Sequence, residues 1–421
     1  MSWLKKIVAS LVGLLTVIAI AVGVQWQLDT RSHTWLERPV AASSTPERGA
    51  YLAQVGNCAG CHTVRGGKAY AGGLGVDTPF GAVYASNLTP DTGTGIGNWT
   101  RADFWRAMHH GQSKNGRLLY PAFPYTSYTH IARDDSDALF AYLQSLPAVE
   151  QSNRAHAVRF PYSSQAALTV WRALYFKPSS YPADNTATAQ LNRGAYLVNS
   201  LGHCSACHAA RNALGASDGL NLAGGLIPIQ NWYAPSLVSK QEASVADWPL
   251  GDIVALFKTG ISSQGSATGP MAEVVLGSTQ YWNDTDLKAM ATYLKALPVI
   301  PSSQQVTAPS TTARGSKIYE KYCTQCHGDE GKGVVNAYPP LAANRAVLMP
   351  QKANLVQIVL NGGYAPATAG NPRPYGMPPF VLELNDADVA AVLTYVRQSW
   401  GNHANAVSEL EVNRIRANQV R

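Results

Sequence analysis

The sequence is short of charge. Only 14% of its 421 residues are Asp, Glu, Lys or Arg, against 46% hydrophobic residues, a balance too apolar for a disordered chain. The net charge of +7 comes from 33 Lys and Arg scattered among 26 Asp and Glu. No block of five like charges occurs, so there is no basic footprint for nucleic acid. Also missing are a G-x-G-x-x-G after a strand and a phosphate-cradling P-loop, so the chain has no obvious means of oxidising an organic substrate by itself. No stretch keeps up the alternation that a sizeable β-sheet needs. Cysteine is confined to six positions.

Those six form three pairs of one spacing, each followed at once by histidine: Cys58, Cys61 and His62; Cys204, Cys207 and His208; Cys323, Cys326 and His327. A C-x-x-C pair alone serves a redox dithiol, half a zinc site or a disulfide. The adjacent histidine decides between them, because two thioethers can hold a porphyrin's vinyl groups while the next imidazole reaches the iron. Zinc sites bring their pairs closer than the 146 and 119 residues that separate these. A thioredoxin-like site calls for a βα pattern, which is missing. The spacing therefore predicts three covalently bound haem c groups, with His62, His208 and His327 as iron ligands. About two propionates on each haem, roughly −6 in all, would nearly offset the +7.

The sixth iron ligand is sought downstream. Met377, in Tyr375-Gly376-Met377-Pro378-Pro379, and Met271, in Gly269-Pro270-Met271, stand on proline-braced loops and are the candidates for the third and second haems. Met290 falls on the apolar face of a helix and reads as core. In the first repeat Phe123 lies twelve residues after Gly111, against the eleven from Gly260 to Met271 in the second, and is the nearest counterpart. A phenyl ring cannot ligate iron. The candidates there are His110 and Met108, with His109 or an open site as further alternatives.

Internal repetition orders the rest. Arg48-Gly49-Ala50-Tyr51-Leu52, Arg193-Gly194-Ala195-Tyr196-Leu197 and Arg314-Gly315-Ser316 with Tyr319 each read as a helix entering a cysteine motif. Each repeat closes on an amphipathic helix in which Asp135, Asp286 or Asp388 precedes Tyr142, Tyr293 or Tyr395 by seven residues. Asp near a helix start favours capping and the dipole, and Pro147 and Pro298 stop the first two. The divisions are 1–30, an N-terminal anchor or signal segment; 45–150, 188–298 and 310–400, three domains; 151–187 and 299–309, linkers, the first with a short helix over Leu168–Phe176; and 401–421, a tail whose small apolar face suits a partner subunit or a frayed end.

Lys5 and Lys6 precede 18 uncharged residues, Ile7 to Val24, between Trp3 and Trp26. That length can just span a bilayer. Ala19-Ile20-Ala21 also offers a signal-peptide cleavage site. Either reading exports the remainder.

With these residues in hand, the chain resembles the triple-haem cytochrome c subunits of bacterial membrane-bound dehydrogenase complexes, those oxidising alcohols, aldehydes, gluconate, fructose or sorbitol. The resemblance spans roughly residues 45 to 400. It rests on the three motifs and their spacing, on Ala85-Ser86-Asn87-Leu88-Thr89-Pro90 with Gly95-Ile96-Gly97, on Leu119-Tyr120-Pro121-Ala122 with Pro124-Tyr125, and on Gly376-Met377-Pro378-Pro379. It implies a mainly α fold of three tandem cytochrome c-like haem domains after an N-terminal membrane helix. It also implies an electron relay on the periplasmic side of the cytoplasmic membrane, from a catalytic dehydrogenase subunit (a molybdenum, quinone or flavin enzyme) to ubiquinone or the respiratory chain. The alcohol-oxidising branch usually has Met where this chain has Phe123, a departure that looks more like branches paired with molybdenum enzymes. Two rival functions are a multihaem enzyme with an open first haem, acting on peroxide or sulfur compounds, and a cytochrome subunit feeding a terminal oxidase.

Overall fold

The computed structural model describes residues 39–217, 219–301 and 313–417, with isolated positions between 3 and 24. The expected membrane segment Ile7–Val24 lies mostly outside the described residues, as does most of the connector 299–309. Among the described residues no helix is long and apolar enough to cross a membrane. The chain forms two compact units, one of residues 1–52 and 61–181, the other of residues 53–60 and 182–421. The second contains both the second and the third cysteine motif.

The fold is mostly helical, with strands of two to four residues. In chain order the first repeat comprises α1 (Pro46–Val55), α2 (Cys58–His62), β1 (Gly75–Thr78), β2 (Gly81–Tyr84), α3 (Arg101–His110), α4 (Tyr125–Tyr128) and α5 (Arg133–Ser145). The connector then carries β3 (Ala157–Val158), which extends the antiparallel β1–β2 hairpin, and α6 (Gln165–Tyr175). Thus α6 starts three residues before the expected helix, because the Ser164 side chain caps it by accepting from the Ala167 N–H.

The second repeat comprises α7 (Ala189–Asn199), α8 (Ser205–His208), β4 (Gly225–Leu226), β5 (Tyr233–Ala234), α9 (Leu250–Thr259), β6 (Ile261–Ser262), β7 (Gly265–Ser266), α10 (Pro270–Gly277) and α11 (Asp284–Ala296). The third has α12 (Ala313–Tyr322), α13 (Thr324–His327), α14 (Arg345–Leu348), α15 (Ala353–Asn361), β8 (Gly363–Tyr364), β9 (Gly376–Met377) and α16 (Asp386–Gln398), and α17 (Glu409–Ala417) follows.

One contact recurs in every repeat and explains the repeated sequence signals. The opening helix crosses the closing helix at the glycine of its Arg-Gly pair. A Cβ on Gly49, Gly194 or Gly315 would lie 2.0, 2.0 or 2.3 Å from the carbonyl oxygen of Ala138, Ala289 or Ala391, and against the Cβ of Tyr142, Tyr293 or Tyr395. Only a residue without a side chain lets the backbones come this close. The preceding arginine then reaches the closing helix's acid: Arg48 Nε donates to Asp135 at 2.9 Å, and Arg193 and Arg314 donate to Asp286 and Asp388 at 2.8 Å. Asp286 and Asp388 are also capped at their backbones, each N–H donating to Asn283 or Asn385. Before Pro147 and Pro298 the chain turns extended at Leu146 and Leu297 and the helices end.

The described part of the tail, to Ala417, packs on its own chain rather than fraying. Val407 and Val412 are buried in the core of the third repeat with Val389, Leu393 and Val396. Arg416 donates to Asp386, Val381 and Leu384, and Lys352 to Glu411 at 2.7 Å. The apolar face is small, but polar clamps at both ends of α17 hold it to its own chain.

Candidate haem-binding sites

Each cysteine motif sits on a single helical turn placed straight after an opening helix. The turn sets the two cysteines of a pair, three residues apart, on one face. None of the six cysteines is joined in a disulfide, and Cys61 and Cys207 are exposed.

The histidine that follows is held the same way three times. His62 Nδ1 lies 2.7 Å from the Ser86 carbonyl oxygen, His208 Nδ1 2.7 Å from that of Pro235, and His327 Nδ1 3.1 Å from that of Pro339. A carbonyl can only accept, so Nδ1 carries the proton and Nε2 keeps its lone pair for a metal. Burial pushes the pKa of all three imidazoles down, favouring the neutral ring that a metal requires. The histidine backbone is pinned too, its carbonyl accepting from Gly72, Gly224 or Gly333 at 2.8, 2.8 and 2.9 Å. These glycines have φ of +77°, +86° and +63°, and a Cβ on Gly72 would meet the Ser86 carbonyl carbon at 2.4 Å. The Gly-rich run after the first motif therefore serves close backbone approach.

The carbonyls at Ser86, Pro235 and Pro339 escape a reading based on side chains. A signal for them exists: Tyr84-Ala85-Ser86-Asn87-Leu88 and Tyr233-Ala234-Pro235-Ser236-Leu237 share a pattern, and Tyr338-Pro339-Pro340-Leu341 is one residue shorter.

The sixth-ligand candidates fall on different kinds of element. Met271 is in the first turn of α10, behind Gly269, whose Cβ position would press on the Trp232 ring at 2.9 Å. Met377 is in β9, paired with Gly363, and packs against the core of the third repeat. Met290 is buried in α11 among core residues. In the first repeat Met108, His109 and His110 are successive positions of α3, set about 100° apart around the helix axis. His109 is buried, stacked on Trp105 with ring centroids 4.4 Å apart, and hydrogen-bonded to the Thr129 backbone; burial takes its pKa down to about 4. His110 meets the His109 ring edge-on at 4.5 Å, and Met108 is buried in α3. Phe123 packs on Tyr128. The helix ends Gly111 and Gly260 are both left-handed caps, as their common position in the repeat requires.

The thiols, neutral imidazoles and pinned backbones form a donor set that fits haem c. Among the described residues no group of three or more His, Cys, Asp or Glu could hold a metal ion by itself.

Comparison with known proteins agrees. The cytochrome c family model matches residues 46–147 and 312–400. The chain is 37% identical to the cytochrome c subunit of the quinone alcohol dehydrogenase of Gluconacetobacter polyoxogenes, over 90% of this chain and 86% of that protein. It is 37% identical to the gluconate 2-dehydrogenase cytochrome c subunit of Pantoea cypripedii, over 90% and 91%. With a nicotinate dehydrogenase subunit of Pseudomonas putida it shares 40% identity over 87% of this chain, which is 32% of that protein. The chain belongs to the cytochrome c family, whose covalently bound haem c its cysteine turns fit, and within it to the cytochrome c subunits of dehydrogenases.

Proposed function

We propose that this protein is a triple-haem electron relay, taking electrons from a catalytic dehydrogenase subunit and passing them to ubiquinone or the respiratory chain at the periplasmic face of the bacterial cytoplasmic membrane. In this reading the thiol pairs Cys58/Cys61, Cys204/Cys207 and Cys323/Cys326 each hold one haem, and the three repeats are the three haem domains. His62, His208 and His327 bind iron through Nε2. Met271 and Met377 close the second and third sites, and His110 or Met108 the first. Bound haem c supplies one-electron exchange at iron. The chain's own part is to orient each imidazole, exclude water and set the potential.

The observation that carries the reading is the threefold Nδ1–H···O=C arrangement, which leaves the same nitrogen free beside each cysteine pair. Identity to dehydrogenase cytochrome subunits over most of their length supports a dehydrogenase partner. The 40% identity to a part of the nicotinate dehydrogenase chain supports including a heterocycle-oxidising enzyme among the candidates.

The test is expression with haem-attachment machinery, followed by intact mass and pyridine haemochrome assay. The expected result is a mass gain of three haems with no thiol left to alkylate. Purification from membranes of the native host should bring a dehydrogenase subunit along, and adding its substrate should reduce the haems. Fewer than three haems, or a terminal oxidase as the only co-purifying protein, overturns the proposal.

A further inference from the structure

The support behind His208 does not come from the second repeat alone. Its Nδ1 partner, the Pro235 carbonyl, lies in the segment Tyr233–Ser236, which is fastened on two sides. Glu242, from the same repeat, accepts from the Tyr233 hydroxyl at 2.9 Å and from the Ser236 N–H at 2.6 Å. The other fastening crosses to the third repeat. Asn354, in the first turn of α15, accepts from the Tyr233 N–H at 2.8 Å and donates to the Tyr233 carbonyl at 2.7 Å. Tyr233 pairs with Leu226 through β4–β5, so its peptide groups toward Asn354 form the free edge of a two-stranded ribbon. A carboxamide with one donor and one acceptor completes that edge as one residue of a third strand would.

The first repeat shows the alternative. Tyr84, which occupies the position of Tyr233, has its N–H held by His156 Nδ1 at 3.1 Å, and the Asn87 N–H is held by Asn153. Both partners come from the connector that follows the first repeat. The same strand edge is thus supported locally in the first repeat and by a neighbouring repeat in the second.

We propose that Asn354 is a positioning residue for the second haem site, holding the strand whose Pro235 carbonyl orients His208, so that the third repeat tunes the second haem. This rests on the reading that Cys204, Cys207 and His208 bind haem. A shorter Nδ1–H···O=C bond makes the imidazole a better donor to iron and favours the oxidised state; loosening the strand weakens that bond and favours the reduced state. Replacing Asn354 should therefore raise the potential of the second haem and leave the other two in place.

The experiment uses the full-length holoprotein, with redox titration of the ferrous α-band and low-spin EPR. The Cys204→Ser/Cys207→Ser double variant identifies the wave of the second haem; if it keeps all its haem, the haem reading fails and not the role of Asn354. In Asn354→Leu, the identified wave should move to higher potential, its EPR g-values should change, and the Tyr233 N–H should exchange faster. Asn354→Asp keeps the bond from the Tyr233 N–H and should shift the same wave less. Arg345→Ala is the control for general loosening, because Arg345 fastens the same two repeats elsewhere, on Asp247 and Ser244; it should leave the wave alone. An unmoved wave in Asn354→Leu despite faster exchange overturns the proposal, as does an equal shift in Arg345→Ala. If Asn354→Leu does not fold, Asn354→Asp against Arg345→Ala decides on the same terms.

Discussion

Gly194→Ala should destabilise the second unit although alanine is the better helix former. The new methyl would stand 2.0 Å from the Ala289 carbonyl oxygen and 2.8 Å from the Tyr293 Cβ. Real Cβ contacts are essentially never under 3.0 Å, so α7 and α11 must separate by roughly 1 Å, which strains the Arg193–Asp286 bonds. Over-packing of this kind costs about 1–3 kcal/mol, occasionally more, and contact with backbone at this distance puts it at the upper end, while the gain in helix propensity returns up to about 1 kcal/mol. A net loss of about 2 kcal/mol lowers the melting temperature of a unit this size by roughly 4–8 °C. Gly251→Ala, in α9 with nothing within 4 Å of the added atom, receives the propensity term alone and should melt at or above the parent. Far-UV circular dichroism melts of the holoproteins test both. If Gly194→Ala melts no lower than the parent, the close helix crossing is not the reason for this glycine.

Four further outcomes follow from the same contacts. Arg193→Ala leaves the nearly buried Asp286 carboxylate without its charged donor and should cost about 1.5–3 kcal/mol in denaturant titration, with Arg193→Lys recovering only part because the forked geometry is lost. For the tail, burial opposes ionisation of Glu411 and Asp386, but hydrogen bonds from Lys352 and Ser408, and from Asn413 and Arg416, hold both below their ordinary pKa. The unfolded form therefore takes up protons first on acidification: their stabilisation is full above about pH 4.5 and is lost as pH falls further, so hydrogen exchange in α17 should accelerate only below that point. Met377→His should lower one haem midpoint, since thioether ligation raises the potential; an unchanged set of midpoints removes Met377 as a ligand. Of His110→Ala and Met108→Leu, one should convert one low-spin EPR signal to high spin; a spectrum unchanged in both means that the first haem is otherwise ligated if it is low-spin, or open if it is high-spin in the parent.

The sequence carried some of this architecture openly and concealed the rest for physical reasons. The CxxCH turns, the opening and closing helices and their prolines are local signals, each written within a few residues. The Arg-Gly pair and the Asp seven residues before Tyr were visible as separate repeats; that they are one contact needs the chain to return some 75 to 95 residues later, as Arg48 does to Asp135 and Arg314 to Asp388. The histidine supports at Ser86, Pro235 and Pro339 were hidden because a backbone carbonyl has no residue identity. The seat of the tail is concealed because Val407 and Val412 make a small apolar face, and the clamps from Lys352 and Arg416 show only when their partners are brought together.

The recurrent crossing and the haem turn are a single construction. α1, α7 and α12 each end within a few residues of a cysteine pair, so the depth at which the opening helix seats on the closing helix also determines where the thiols and the next histidine lie. The histidine's second anchor comes from a different segment, through the carbonyls of Ser86, Pro235 and Pro339. A shift of roughly 1 Å at the crossing would therefore move the histidine against a carbonyl that does not move with it, lengthening or bending an Nδ1–H···O bond of 2.7–3.1 Å. It follows that Gly194→Ala should disturb the EPR signal of one haem while leaving two unchanged. Loss of stability with all three signals intact would mean that the opening helix and the histidine support move as one body.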